Sequence, residues 1–252
     1  MKNIIYILFY LLINVNALIK PLTFTNVNEF QTRNRYKKII TISPGGLAGF
    51  YILGTIVYIK EHYDLSEYHF LGASAGAWNS LPMTYKKPMD TIVYDIINNY
   101  NNEEITSIYE LQCKLKSILI ENYDINDFEL NKINIATTTF TKSGFQQKII
   151  SNINTLEQAT DSCFASSYIP FITGKGFQKI NGKILFDGGF KKFPPSEIKS
   201  HFDINPYMWK KEITEQFYDL LNINNIKNSE KMFENGYYDS EKNKDILDKY
   251  FL

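Results

Sequence analysis

The chain is 252 residues long, with Lys+Arg and Asp+Glu balanced at 27 each and a formal net charge of zero. That length supports one sizeable core and demands no second, and the neutral balance removes the general electrostatic argument for a nucleic-acid partner. Two cysteines, Cys113 and Cys163, exclude a disulfide framework and a cysteine-ligated zinc site, while eighteen Tyr and eighteen Phe supply rings that suit a core or a lipid-facing surface.

The N-terminus, MKNIIYILFYLLINVNALIKPL, has one lysine, an apolar run from Ile4 to Ile13, and the small-residue pattern Val15-Asn16-Ala17. This layout predicts a cleaved secretory signal over residues 1–17, with an uncleaved anchor as the other reading. The run is shorter than the ~20 residues a spanning helix needs. The expected location is therefore the secretory pathway, extracellular or in the ER lumen. Residues 18–37 show no clear period and read as a leader segment, and the organised domain is expected over 38–252.

Ile39, Ile40 and Ile42 predict a buried strand that ends at Ser43-Pro44-Gly45-Gly46. Phe50, Leu53, Val57 and Glu61 recur at helical spacing, so a helix follows to about Tyr63. A second strand, Tyr68 to Leu71, leads into GASAG at 72–76, with a helix from Ala75 to Leu81 beyond it. Two helices follow, through Ile92–Tyr100 and Ile105–Leu119, and then a strand from Ile133 to Phe140. Asn154 with Glu157, or Thr155 with Gln158, opens a capped helix through Cys163. FQKINGKILF, with Asn181-Gly182 between alternating runs, predicts a hairpin that delivers Asp187-Gly188-Gly189. The tail from Asn205 is more polar, with amphipathic stretches at Ile213 to Leu221 and Lys244 to Leu252. This rhythm predicts an α/β fold with a parallel sheet.

In GASAG the bare residues around Ser74 suit a sharp strand-to-helix turn, where the chains on either side come too close for larger side chains. The following helix would direct its positive end at an alkoxide forming on Ser74. The second glycine turn, SPGGLAGF, exposes Gly45 and Gly46 amides before a helix and suits an oxyanion. It lacks both the G-x-G-x-x-G of a dinucleotide site and the lysine of a P-loop. If the base is a histidine in the order Ser, Asp, His, the only one downstream of Asp187 is His201. DINDFE at 124–129 has Glu129 and Ile135 where a calcium loop needs Gly and Glu.

Taken together, SPGGLAGF, GASAG with Trp78, CFASSYIPF at 163–171 and DGG at 187–189 resemble the patatin-like phospholipases, in the family's motif order. FENGYYDSEKN is similar to the family's C-terminal segment, so the likeness covers about residues 38 to 250. The resemblance implies a three-layer α/β/α fold with a mainly parallel central sheet. It also implies calcium-independent lipid acyl hydrolysis with no cofactor or metal, on a lipid substrate at a membrane or micelle surface. Carried over by position, Ser74 is the nucleophile, Asp187 its base, and the Gly45 and Gly46 amides the oxyanion hole. Pro44 stands where the family usually has the first glycine, and Ala48 where it has an arginine. Two other readings stand beside this one: a Ser74-Asp187-His201 esterase of α/β-hydrolase type, and an inactive lipid-binding relative. Trp78, Met83 and Tyr85 are expected to face substrate, with Met83, Tyr85 and the adjoining Lys86-Lys87 forming a lipid-facing rim.

Overall fold

The computed structural model describes residues 22–98, 105–180, 182–209 and 220–252. The expected signal over 1–17 and most of the amphipathic stretch from Ile213 lie outside these residues. A central sheet is built from β1 (Thr23–Asn26), β2 (Lys38–Ile42), β3 (Tyr68–Ala73), β4 (Ile133–Thr141), β5 (Gly144–Ser151), β6 (Gln178–Ile180), β7 (Lys183–Phe186) and β8 (Phe202–Ile204). Its order is β1-β5-β4-β3-β2-β8, with β7 pairing both β4 and β6.

Parallel pairing runs through the centre, β4-β3-β2-β8. The flank is antiparallel, so the mainly parallel sheet expected from sequence is parallel only in its middle. The reason is local: β5 follows β4 across a two-residue turn, Lys142-Ser143, which can return the chain only antiparallel. The expected leader contains structure, because β1 pairs with β5 and continues into helix α1 (Val27–Arg33). Asn26 caps that helix by accepting the Glu29 N–H at 2.8 Å.

Among the described residues the remaining α-helices are α2 (Gly49–His62), α3 (Ala75–Thr84), α4 (Met89–Asn98), α5 (Ile108–Asn122), α6 (Leu156–Ser166), α7 (Ser229–Lys242) and α8 (Lys244–Phe251). Thr155 opens α6, accepting the Gln158 N–H at 3.1 Å, while the Gln158 side chain reaches back to the Asn154 N–H. Strand alternation divides the core unequally. Ile40, Ile42, Phe70, Ile133, Ile135 and Ile150 face the large helical side, and Ile39, Leu71, Ala73, Ala136 and Ile149 face a small cluster closed by Phe30 and Ile198. Helix α2 is buried along Phe50–Ile59 on every side, as expected of a helix enclosed between a sheet and other helices. Among the described residues no helix is long and apolar enough to cross a membrane.

Candidate active site

Ser74 sits between β3 and α3 at φ 54°, ψ −123°, a left-handed setting that strains any residue with a Cβ. The packing around it explains the small neighbours. A Cβ on Gly76 would lie 1.9 Å from the Ile42 carbonyl oxygen, and one on Gly72 would lie 2.2 Å from the Gly76 carbonyl oxygen. The turn is therefore clamped between backbone segments. Helix α3 begins immediately afterwards with no side-chain cap, leaving its first amides for whatever approaches Ser74.

A second serine fixes this geometry from behind. Ser166, at the end of α6, accepts the Ser74 N–H at 2.9 Å and donates to the Ala136 carbonyl at 2.7 Å, so it ties the turn to β4. Next to it, Ser167 accepts from Trp78 Nε1 at 2.9 Å. Asn79 donates to the carbonyls of Gly49 and Ala75, joining the glycine turn to the Ser74 turn. Sequence reasoning assigned no role to Ser166 or Asn79. Ser166 falls inside CFASSYIPF, but its hydrogen bonds span 92 and 30 residues and leave no local pattern.

Asp187 arrives at the end of β7, whose pairing with β4 at Thr138↔Phe186 carries it alongside β3. Its side chain is 7% exposed and accepts the Gly189 N–H at 2.7 Å, and the neighbouring Ser74 hydroxyl favours its charged form. Burial pushes its pKa up to about 6, although the Ser74 hydroxyl and the Gly189 N–H favour the charged form and pull the other way. Phe190, three residues further on, is 58% exposed.

Ser74 and Asp187 lie at the wall of a cavity of about 550 Å³ that Gly45, Gly46 and Trp78 also line. The rest of the wall is mostly aliphatic, including Leu53, Ile108, Leu111, Leu115 and Leu119, and among the described residues Asp187 is the only carboxylate on it, with no Lys, Arg or His. Gly46 adopts φ 53°, and a Cβ there would meet the Leu220 carbonyl at 2.4 Å. Pro44 packs where a Cβ on Gly189 would fall, 2.5 Å from its Cγ, so the proline at this position fits against the second glycine of DGG. Ala48 is not part of the cavity wall. Gln112, 4% exposed, donates through Nε2 to the Ser167 carbonyl at 3.1 Å and leaves Oε1 without a donor.

Two expected substrate-facing residues are elsewhere. Met83 and Tyr85 are 3% and 4% exposed, belong to the main core and do not line the cavity. Their helix, α3, is buried from Gly76 through Thr84, and the Tyr85 ring packs edge-on to Tyr123. The rim expected at Met83, Tyr85 and Lys86-Lys87 is thereby removed, and Lys87 pairs with Asp127 at 2.6 Å. Asp124 and Asp127 form a reciprocal capping box around the Ile125–Asp127 turn.

None of the three histidines reaches the cavity. His201 donates its backbone N–H to Ile39, which pairs with His69, five residues before Ser74 on β3. At ~3.3 Å per strand residue this is roughly 16 Å away, at the opposite end of the sheet. Its ring lies against Tyr68, Tyr250 and Phe251. Among the described residues no group of three or more His, Cys, Asp or Glu could hold a metal ion.

No protein-family model matches the chain, and no curated protein matches it. Among solved structures it is similar to VipD from Legionella pneumophila, with 14% identity and a TM-score of 0.32 over 61% of this chain and 46% of that one. It is also similar to the ExoU–SpcU complex from the type III secretion system of Pseudomonas aeruginosa, with 14% identity and a TM-score of 0.38 over 85% of this chain and 52% of that one. The chain spans about half the length of these solved chains. A likeness this weak carries no conclusion about activity.

Proposed function

We propose that this protein is a lipid acyl hydrolase that cleaves ester-linked fatty acids with Ser74 and Asp187 as its catalytic pair. The observation that carries the reading is a strained serine beside a buried carboxylate of raised pKa, both at the wall of a largely aliphatic cavity. A carboxylate near its ordinary value of 3.8 is a weak acceptor for a serine proton, and a shift to about 6 brings it closer to a working base. The four motifs that resemble the patatin-like phospholipases support the same assignment.

In this reading the Ser74 proton passes to Asp187 as Oγ attacks the ester carbonyl. The resulting oxyanion would be met by the Gly45 and Gly46 amides and the α3 N-terminus. The alcohol leaves with the proton held on Asp187, giving an acyl-serine. Water then gives a proton to Asp187 and attacks the acyl carbon, and that proton returns to Ser74 as the fatty acid departs. The aliphatic wall favours an acyl chain, and among its described residues there is no Lys or Arg to hold a phosphate headgroup.

The testing experiment is fatty-acid release from phospholipids, galactolipids and neutral glycerides by pure protein in EDTA. Release by wild type and none by Ser74→Ala is expected, and no release from any lipid tells against the reading. His201→Asn should retain most of kcat/KM, because its ring braces the C-terminal helix far from Ser74. A folded but inactive His201→Asn protein would favour the three-residue esterase instead.

A further inference from the structure

A row of exposed aromatic rings lies on two hairpins beside the cavity, and nothing in the catalytic reading uses it. Strand register puts Phe140 opposite Phe145 on β4 and β5, and Thr138 opposite Phe186 where β7 joins β4. Side chains directly opposite or two residues apart share a face, so Phe140, Phe145 and Phe186 do. Along the β6–β7 hairpin, Lys179 and Ile184 pair on that same face. The rings touch in sequence: Phe140 to Phe145 at 5.2 Å, Phe145 to Phe186 at 5.5 Å, Phe186 to Phe177 at 6.0 Å and Phe177 to Phe171 at 5.7 Å between centroids. Phe190 joins the surface 4.7 Å from Phe145 and also lines the cavity, so the aromatic face runs to the cavity wall.

Two further observations indicate what this face meets. Phe140, Phe171 and Phe177 are 65%, 77% and 53% exposed, and Phe171 holds a φ of 66°. A bulky residue in that strained setting, with most of its ring in water, gains little for the fold and points to a use outside it. The charge is one-sided as well. Residues 138–148 and 169–192 contain no Asp or Glu except buried Asp187, while Lys142, Lys175, Lys179, Lys191 and Lys192 stand exposed. None of the five is in an ion pair among the described residues. The whole chain is neutral, so this local excess of positive charge is a property of the face.

We infer that the β4–β5 and β6–β7 hairpins, with the 169–177 loop, form the surface by which the protein docks on an anionic lipid bilayer. The phenylalanines would enter the boundary between headgroups and acyl chains, and the lysines would lie against anionic headgroups. Docking in this orientation presents the cavity beside Phe190 to the membrane. The inference rests on the proposed function only for that consequence, since adsorption requires no turnover.

Flotation of the full chain with vesicles of phosphatidylcholine, with and without phosphatidylserine, tests it. Wild type should bind the phosphatidylserine vesicles more tightly, and binding should weaken as salt is raised. The variant Phe140→Ser/Phe171→Asn/Phe177→Ser removes apolar rings that do not line the cavity, with asparagine chosen because it tolerates the left-handed setting. It should bind at least about tenfold more weakly. Lys142→Glu/Lys179→Glu/Lys192→Glu changes only exposed side chains, and should lose at least about 100-fold on phosphatidylserine vesicles. Hydrolysis of a water-soluble butyrate ester should be unchanged in both variants, which separates loss of docking from loss of the catalytic reading. Wild type that fails to float, or a folded lysine variant that floats like wild type, overturns the inference. So does a wild-type dimer that the phenylalanine variant converts to monomer without change in vesicle binding, because the face would then serve a second copy of the chain.

Discussion

Asp187→Asn is expected to lower hydrolysis by at least ~10²-fold and, at the same time, to make the fold more stable above pH 6. The first effect follows from removing the only carboxylate among the described residues of the cavity wall, the group that takes the Ser74 proton in this reading. The second follows from linkage. The folded pKa of about 6 lies above the ordinary 3.8, so the folded state holds its proton over a window in which the unfolded chain has released it. Stability from this group is fully present below about 3.8 and is lost as pH rises through about 6. Above that, the ionised carboxylate costs the fold on the order of 3 kcal/mol. Asparagine has nearly the same shape and can still accept the Gly189 N–H, but it carries no charge to bury. Denaturation at pH 8 should therefore show Asp187→Asn more stable than wild type by about 1–3 kcal/mol, with the gap closing toward pH 4. Equal stability at pH 8 would mean that the carboxylate is not strained by its burial.

Gly76→Ala should be more damaging than any conservative change in the core. The added methyl would lie 1.9 Å from the Ile42 carbonyl oxygen and 2.5 Å from its carbon. Both atoms belong to β2, which is paired on either side by β3 and β8 and cannot step aside. Helix α3 would have to move instead, taking Ser74 with it. A loss of more than about 3 kcal/mol is expected, with activity falling further than the folded fraction does. Chemical denaturation and hydrolysis of a soluble ester measure the two effects. A Gly76→Ala protein with wild-type stability would show that the clamp around Ser74 is loose.

The parts of the site legible in sequence are those written in local chemistry. Ile39, Ile40 and Ile42 mark β2, GASAG marks the turn at Ser74, and the Gly182 position at φ 74° fits the hairpin that leads to Asp187. The strands of the antiparallel flank and the short β8 carried no such signal. In β5 the half-buried Gln146, Gln147 and Lys148 hide the alternation, and β1 and β8 have only four and three residues. Met83 and Tyr85 were misplaced because a helix enclosed on every side has no wet face, so proximity to Ser74 in sequence says nothing about contact with the cavity. The exposed rings Phe140, Phe145, Phe171 and Phe177 come from two segments distant in sequence that the pairing of β4 with β7 brings together.

Peptide mapping by mass spectrometry after treatment with a long-chain fluorophosphonate tests the central claim most directly. The reagent phosphonylates a serine activated by a base, so it reads the Ser74 to Asp187 arrangement without presuming a natural lipid. The account predicts a single adduct on the peptide containing Ser74. It should form half-maximally near pH 6, be at least ~10²-fold slower in Asp187→Asn, and be unaffected by His201→Asn. An adduct on another serine, no adduct at any pH, or a rate that collapses with His201→Asn would contradict it.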